Sequence, residues 1–274
     1  MLLLGTSLSG KPGDTNRRER AAQASLAALV PSGVECVNLA FTDARPSGAL
    51  GPQRPVLTLD APRVSGVAGV RKPVITEMLD ALAEDAAARG IPRIGLLNAD
   101  IIVLPEAIER LASISRPAVA ISRTDVGGGA VEAALLYGVD MFVFDVAFWR
   151  NERRRFRPYL LGEGVWDNVY ASIAACHGGT LLNRERLILH ERHPAAFQGS
   201  PFERYVHLLA ARDRSYFSIW CRYVARAEAL RARGGSVDDE LALQREVFHP
   251  PGAAAEMMDI GRAAWWRAKR MLGA

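Results

Sequence analysis

Leu96-Leu97-Asn98-Ala99-Asp100-Ile101-Ile102 decides how this chain is read. Apolar residues flank a polar triplet that ends in one carboxylate. The run predicts a buried strand that stops where its polar residues meet something. In open α/β sheets ligands bind outside the carboxyl ends of the strands, so a carboxylate there is placed to hold a metal or a ligand hydroxyl. The plainer reading is an ordinary strand end whose Asp100 caps the next turn.

Strand and helix patterns alternate on both sides of this run. Residues 2–4 read as a first buried strand ending at Gly5-Thr6-Ser7-Leu8, with a polar loop over 9–15. A helix over 16–29 follows, with Ala22, Leu26 and Leu29 on one face. Residues 34–39 read as a second strand. Residues 42–73, rich in Gly, Pro and Arg, form a long excursion with a short strand near 56–59, and loops of that length are often functional. Residues 74–89 make an amphipathic helix with Ile75, Met78, Leu79 and Leu82 on one side. Strand 94–97 leads to a helix over 104–114, with Pro105 in its first turn. Strands at 117–122 and 141–144, a helix at 167–176, and two strands, or one broken strand, over 180–183 and 186–190 complete the series. This alternation predicts an α/β layer fold with a mixed, mostly parallel sheet flanked by helices. After Pro201 the pattern is helical, over 202–233, 238–247 and 253–272, punctuated by Gly234-Gly235 and His249-Pro250-Pro251-Gly252. The expected organisation is a main domain over 1–200 and a helical C-terminal appendage over 201–274.

Composition sets the frame. The chain has 274 residues, 49% of them hydrophobic, which suits one large domain with an appendage. Cys36, Cys176 and Cys221 are sparse and form no metal-ligand pattern, as expected in a reducing compartment. The Met-Leu-Leu-Leu start is too short for a secretory segment and lacks a basic flank. No stretch approaches the roughly 18 apolar residues of a membrane span, so a soluble, cytoplasmic protein is expected. The net charge is +4, and much of the excess is arginine, in residues 151–157 and in the C-terminal quarter. Arginine clusters suit phosphate-bearing ligands, nucleic acid or anionic lipid. Here they read as a solvated face, and no nucleic-acid partner is expected.

Two motifs are decoys. Gly5-Thr6-Ser7-Leu8-Ser9-Gly10-Lys11 matches most of a P-loop, but Pro12 stands where that loop needs a hydroxyl for magnesium. Pro12-Gly13 also opposes a helix opening at the lysine. Gly127-Gly128-Gly129 lacks dinucleotide spacing and reads as a flexible loop. No Gly-x-Ser-x-Gly elbow or Cys-x-x-Cys pair occurs.

Three further segments carry candidate chemistry. In Tyr137-Gly138-Val139-Asp140 a polar turn leads into an apolar strand, with Asp140 at the junction. Its plainer role is to bond its own backbone. In Gly162-Glu163-Gly164-Val165-Trp166-Asp167-Asn168, Asp167 opens a helix, either as an N-cap or as a carboxylate projected into a cleft to act as base. In Leu187-Ile188-Leu189-His190-Glu191-Arg192-His193 an apolar strand delivers two imidazoles three residues apart. That spacing is compatible with one metal or phosphate site.

In this order, Thr6-Ser7-Leu8, the helix of Arg20 to Leu26, Lys72-Pro73, Asn98-Ala99-Asp100-Ile101, Gly138-Val139-Asp140, Trp166-Asp167-Asn168 and the closing His190…His193 resemble nucleotide-diphospho-sugar glycosyltransferases of GT-A type. The narrower resemblance is to members with Asn-x-Asp in place of Asp-x-Asp. It covers roughly residues 1–195. It implies a Rossmann-type sheet that binds a nucleotide-sugar donor with Mn²⁺ or Mg²⁺. Asp100 matches the carboxylate that contacts the metal, and His190, then His193, would complete the coordination. Thr6 and Ser7 would lie near base and ribose, and Arg71 or Lys72 would meet base or phosphate. Asn98 stands beside the cation site. Asp167 would be the general base of an inverting reaction or would orient the sugar in a retaining one. Asp140 would bind acceptor hydroxyls. The acceptor, whether glycan, lipid-linked or small molecule, is open. Because Asn98 is neutral, one ligand charge is missing, and metal affinity falls with ligand charge. Nearby arginines could then neutralise the diphosphate.

Two rivals stand beside this reading. A nucleotidyltransferase should carry a basic Gly-rich loop after the first strand, which Gly10-Lys11-Pro12-Gly13 with Arg17-Arg18 matches only loosely. A catalytically silent nucleotide-sugar-binding or scaffold protein would suit the single carboxylate. In the C-terminal helices, Phe217, Trp220 and Tyr223, and the Ala264-Trp265-Trp266-Arg267 run, suit either an anionic membrane surface or packing on the main domain or a second subunit of a homodimer.

Overall fold

The computed structural model describes residues 1–8, 13–41, 53–56, 73–127, 130–162, 165–193 and 212–271. Among these, nine strands form one sheet: β1 (Leu2–Thr6), β2 (Val34–Phe41), β3 (Gln53–Val56), β4 (Arg93–Leu97), β5 (Ile101–Val103), β6 (Ala118–Gly127), β7 (Ala130–Asp145), β8 (Thr180–Leu182) and β9 (Ile188–Glu191). Their spatial order is β3-β2-β1-β4-β7-β6-β9-β5, with β8 also paired to β6. Only β7 and β5 run against the rest, since β4–β7, β6–β7 and β5–β9 are the antiparallel pairings. The expected mixed, mostly parallel α/β sheet is the observed one.

The helices are α1 (Asp14–Ala28), α2 (Ile75–Ala88), α3 (Pro105–Ala112), α4 (Val146–Glu152), α5 (Trp166–Cys176), α6 (Arg214–Ala232), α7 (Val237–Val247) and α8 (Ala253–Met271). The central strands are apolar on both sides, as a sheet covered on both faces requires. Alternation sends Leu3, Ile94, Leu96, Phe142 and Phe144 into a core shared with α2 and α5. Their neighbours Leu2, Leu4, Leu97, Met141 and Val143 enter a second core with α1 and α3.

The strand of the opening motif stops at Leu97, as expected. Ile101 N–H then donates to Asn98 O at 3.3 Å, closing a turn, and residues 101–103 re-enter the sheet at its far edge beside β9. Other local expectations change. The strands expected at 117–122 and 141–144 are parts of one long hairpin, β6–β7, whose tip at 128–129 lies outside the described residues. Helix α4 follows β7 directly, burying Val146, Phe148 and Trp149, and the sequence pattern held no sign of it. A short strand occupies Gln53–Val56; beyond Val56 the strand expected near 56–59 lies outside the described residues, as do residues 194–211, where the helical segment was expected to begin.

The C-terminal helices are packed, not detached. Helix α6 buries Tyr216, Ile219, Trp220, Tyr223, Val224 and Ala227, all in the α2–α5 core. Helix α7 opens with a reciprocal capping box between Ser236 and Asp239. Its Gln244 lies along the open side of β8: the side-chain oxygen accepts from Leu181 N–H at 3.1 Å, and the side-chain nitrogen donates to Leu181 O at 3.0 Å. Buried Glu240 takes Arg184, Arg231 and the Tyr223 hydroxyl. Trp265 is exposed on α8. Among the described residues no helix is long and apolar enough to cross a membrane.

Trp220 is fully buried at this junction. Trp220→Ala is expected to lower stability by about 3–5 kcal/mol in urea unfolding. Fluorescence and circular dichroism should report one shared transition. A loss below about 1 kcal/mol, or separate transitions, would show that α6 is not part of the common core.

Candidate metal and ligand site

The carboxyl ends of β1, β4, β6 and β9 lie on one edge of the sheet, and the polar residues that interrupt their apolar runs gather there. Beyond its pairing with β8, β6 continues into a parallel pairing with β9, in which Asp125 stands opposite His190. β5 pairs on the other side of β9 and sets Ile101 opposite His190, which brings Asp100 to the same place. Asn98 N–H donates to Asp140 O at 3.2 Å, carrying the β4–β7 ladder one residue into the site.

Asp100, His190 and His193 converge, each offering one ligand atom within 4.8 Å of the others. His193 Nε2 is 3.1 Å from Asp100 Oδ2 and 3.2 Å from His190 Nε2. His190 Nε2 is 3.5 Å from the same carboxylate oxygen. Ligand atoms about 2.1 Å from one ion lie about 3.0 Å apart at octahedral angles and about 3.4 Å at tetrahedral ones. The observed triangle has that size, so the three atoms fit one divalent ion with its remaining positions open. Two imidazoles and one carboxylate suit a transition ion such as Mn²⁺ better than Mg²⁺, which prefers an all-oxygen octahedron. Burial opposes ionisation of Asp100, but the hydrogen bond and charge of His190, with a further hydrogen bond from His193, outweigh it and bring its pKa down to about 2. The carboxylate is therefore ionised throughout the physiological range.

Behind this trio runs a charged relay. His190 Nδ1 lies 2.9 Å from Asp125 Oδ1, and both residues are buried. Arg123 donates from Nε to that same oxygen at 2.9 Å and from Nη1 to Asp140 Oδ2 at 2.8 Å. The Asn98 side-chain amide donates to the other oxygen of Asp140. Asp140 is thus bonded on both oxygens. Asp167, in the first turn of α5, is half-buried beside this group. Desolvation, then the charge of Asp140, push its pKa well above the usual carboxylate range against backbone hydrogen bonds and Arg123.

Thr6 closes β1 on the same edge. Its Oγ1 is buried with no hydrogen-bond partner among the described residues, while Ser7 is half-buried beside it. Leu8 N–H donates to Asn38 Oδ1 at 3.2 Å. Arg17, in the first turn of α1, pairs with Glu191, next to His190. The hydrogen bond from Arg17 and the charges of Arg17, Arg18 and His193 hold the Glu191 carboxyl below its usual range. Arg71 and Lys72 lie outside the described residues. The structure thus joins Asp100, His190 and His193, bonds Asn98 to Asp140, and sets Asp167 close to Asp140. Sequence reading missed Arg123 and Asp125. Their signal was present: Ser122-Arg123-Thr124-Asp125 breaks the apolar run of 118–121 just as Asn98-Ala99-Asp100 breaks that of 94–97.

No protein-family model and no curated protein matches the sequence. Among solved structures, the chain is similar to mannose-1-phosphate geranyltransferase from Thermus thermophilus, at 16% identity over 70% of this chain and 74% of that one, with a TM-score of 0.35. It is similar to a glycosyltransferase involved in glycosylation of the major capsid of PBCV-1, at 10% identity over 75% and 97% of the two chains, with a TM-score of 0.34. It is also similar to the galactosyltransferase LgtC in complex with donor and acceptor sugar analogues, at 11% identity over 76% and 94%, with a TM-score of 0.35. At these scores the likenesses are partial, and the functional reading rests on the chain's own side chains.

Arg123 separates two buried carboxylates. Arg123→Ala is expected to cost about 2–3 kcal/mol in urea unfolding without added metal, because Asp125 and Asp140 lose their shared cation. A loss under about 0.5 kcal/mol would mean that the pair does not depend on it.

Proposed function

We propose that this chain transfers a glycosyl group from a nucleotide-diphospho-sugar donor to an acceptor hydroxyl, using the carboxyl edge of the sheet. One observation supports this above the others: the Asp100–His190–His193 trio, sized for one divalent ion, lies at the strand ends where the Asp140–Asp167 pair also gathers. A cation held there would supply Lewis-acid stabilisation of the departing nucleoside diphosphate. Asp100 and the two imidazoles would hold it, and Mn²⁺ is the ion their chemistry favours.

The remaining work belongs to side chains on the same edge. Arg17 and Arg18, at the start of α1, draw the diphosphate by charge. Thr6 and Ser7, at the end of β1, face the nucleoside, and the unpartnered Thr6 hydroxyl supplies a hydrogen bond. Arg71 and Lys72 are assigned to base or phosphate on the sequence resemblance alone. Asp167 accepts the proton of the acceptor hydroxyl as the new glycosidic bond forms. Its raised proton affinity, set by burial and by Asp140, matches that task. Asp140 orients Asn98 and Arg123 and presents its remaining lone pairs to acceptor hydroxyls. In domain terms, residues 1–200 form the catalytic unit and 201–274 its helical buttress.

Asp100→Ala is expected to abolish stabilisation by a UDP- or GDP-sugar with Mn²⁺ in a thermal-shift panel, and donor hydrolysis with it, while the metal-free fold persists. Asp167→Asn should keep donor binding and cut turnover roughly 10²–10⁴-fold. Normal donor turnover in Asp100→Ala would overturn the assignment. Donor binding without turnover in the native chain would leave a silent nucleotide-sugar-binding protein, and preference for a nucleoside triphosphate would indicate a nucleotidyltransferase.

A further inference from the structure

The arrangement behind His190 goes further than the three ligand atoms. A histidine that binds a metal through Nε2 must carry its proton on Nδ1, and free imidazole in water has no strong reason to choose that form. Partners around the ring make the choice. Here Nδ1 faces a buried carboxylate oxygen at 2.9 Å, while Nε2 faces Asp100 and His193. Both carboxylates can only accept, and the nearer one, Asp125 at 2.9 Å against Asp100 at 3.5 Å, draws the proton of the neutral ring to Nδ1 and leaves the Nε2 lone pair for a cation shared with Asp100. Asp125 is itself fixed: Arg123 Nε donates to the same oxygen at 2.9 Å, and the β6–β9 register holds Asp125 opposite His190.

We infer that Asp125 is a positioning residue of the metal site: its carboxylate holds the His190 ring with the proton on Nδ1 and the Nε2 lone pair turned to the cation, and Arg123 anchors that carboxylate. This rests on the metal reading above, yet the tautomer can be measured without any metal. The relay has a second consequence. Arg123 also holds Asp140, so the ring that would meet the cation and the carboxylate beside Asp167 are tied to one guanidinium.

The test uses the full chain as wild type, Asp125→Ala and Asp125→Asn. Ring ¹⁵N–¹H correlation spectra in metal-free alkaline buffer, where the imidazole is neutral, report the tautomer, with His190→Ala supplying the assignment. The expected result is Nδ1–H in wild type and Nε2–H in Asp125→Ala. Electron paramagnetic resonance of free Mn²⁺ then gives affinity, expected to be about 10–100-fold weaker in Asp125→Ala. Asp125→Asn can place its Oδ1 between Arg123 and His190, so it should keep the tautomer and bind Mn²⁺ several-fold more weakly through lost charge. It also provides the test if the alanine variant does not fold. Finding Nε2–H in wild type, or unchanged Mn²⁺ affinity in the variants, overturns the role of Asp125. Wild type that shows Nδ1–H yet binds no Mn²⁺ supports the carboxylate's hold on His190 and overturns the metal reading instead.

Discussion

The guanidinium of Arg123 is the interaction on which the candidate site depends. It sits between Asp125 and Asp140, two buried carboxylates on adjacent strands of one hairpin. Removing two negative charges from water is unfavourable unless a cation and further hydrogen bonds compensate, and this side chain supplies both. Through Asp125 it reaches His190, and through Asp140 it reaches Asn98. The turn after β4 and the end of β9 are thus held by one planar, permanently charged group. Lysine could not make both contacts with the same geometry.

The sequence made the layers legible because strands buried on both faces read as apolar runs, and the helices carry one-sided patterns. Asp100 and the His190…His193 pair were legible for a local reason: each interrupts or ends an apolar strand. Asp125 was not, although it interrupts one too. Its meaning lies in a ring 65 residues away, and nothing in its own segment indicates the register of β6 on β9. The far half of β7 was equally hidden, since Ala130-Val131-Glu132-Ala133-Ala134 shows no clear alternation and pairs only across a turn. For the C-terminal helices the apolar stripe of Trp220 and Tyr223 was visible, but its partner was not. The structure puts both residues in the common core.

Asn98 illustrates how a missing charge is accommodated. Where an acidic residue would oppose Asp140, the amide instead donates to it, and no repulsion arises. The second imidazole, His193, brings the donor count back without adding charge. A divalent ion held by one carboxylate and two neutral rings keeps a formal excess of about +1. That residual charge suits an anionic diphosphate.

Gln244 stands where another strand of the sheet could pair. Its amide gives Leu181 both the acceptor and the donor that a neighbouring backbone would offer. One side chain thereby ends the ladder at Thr180–Leu182 and denies that border to a second molecule. Helix α7 thus stands where a further strand would lie and covers the open side of β8.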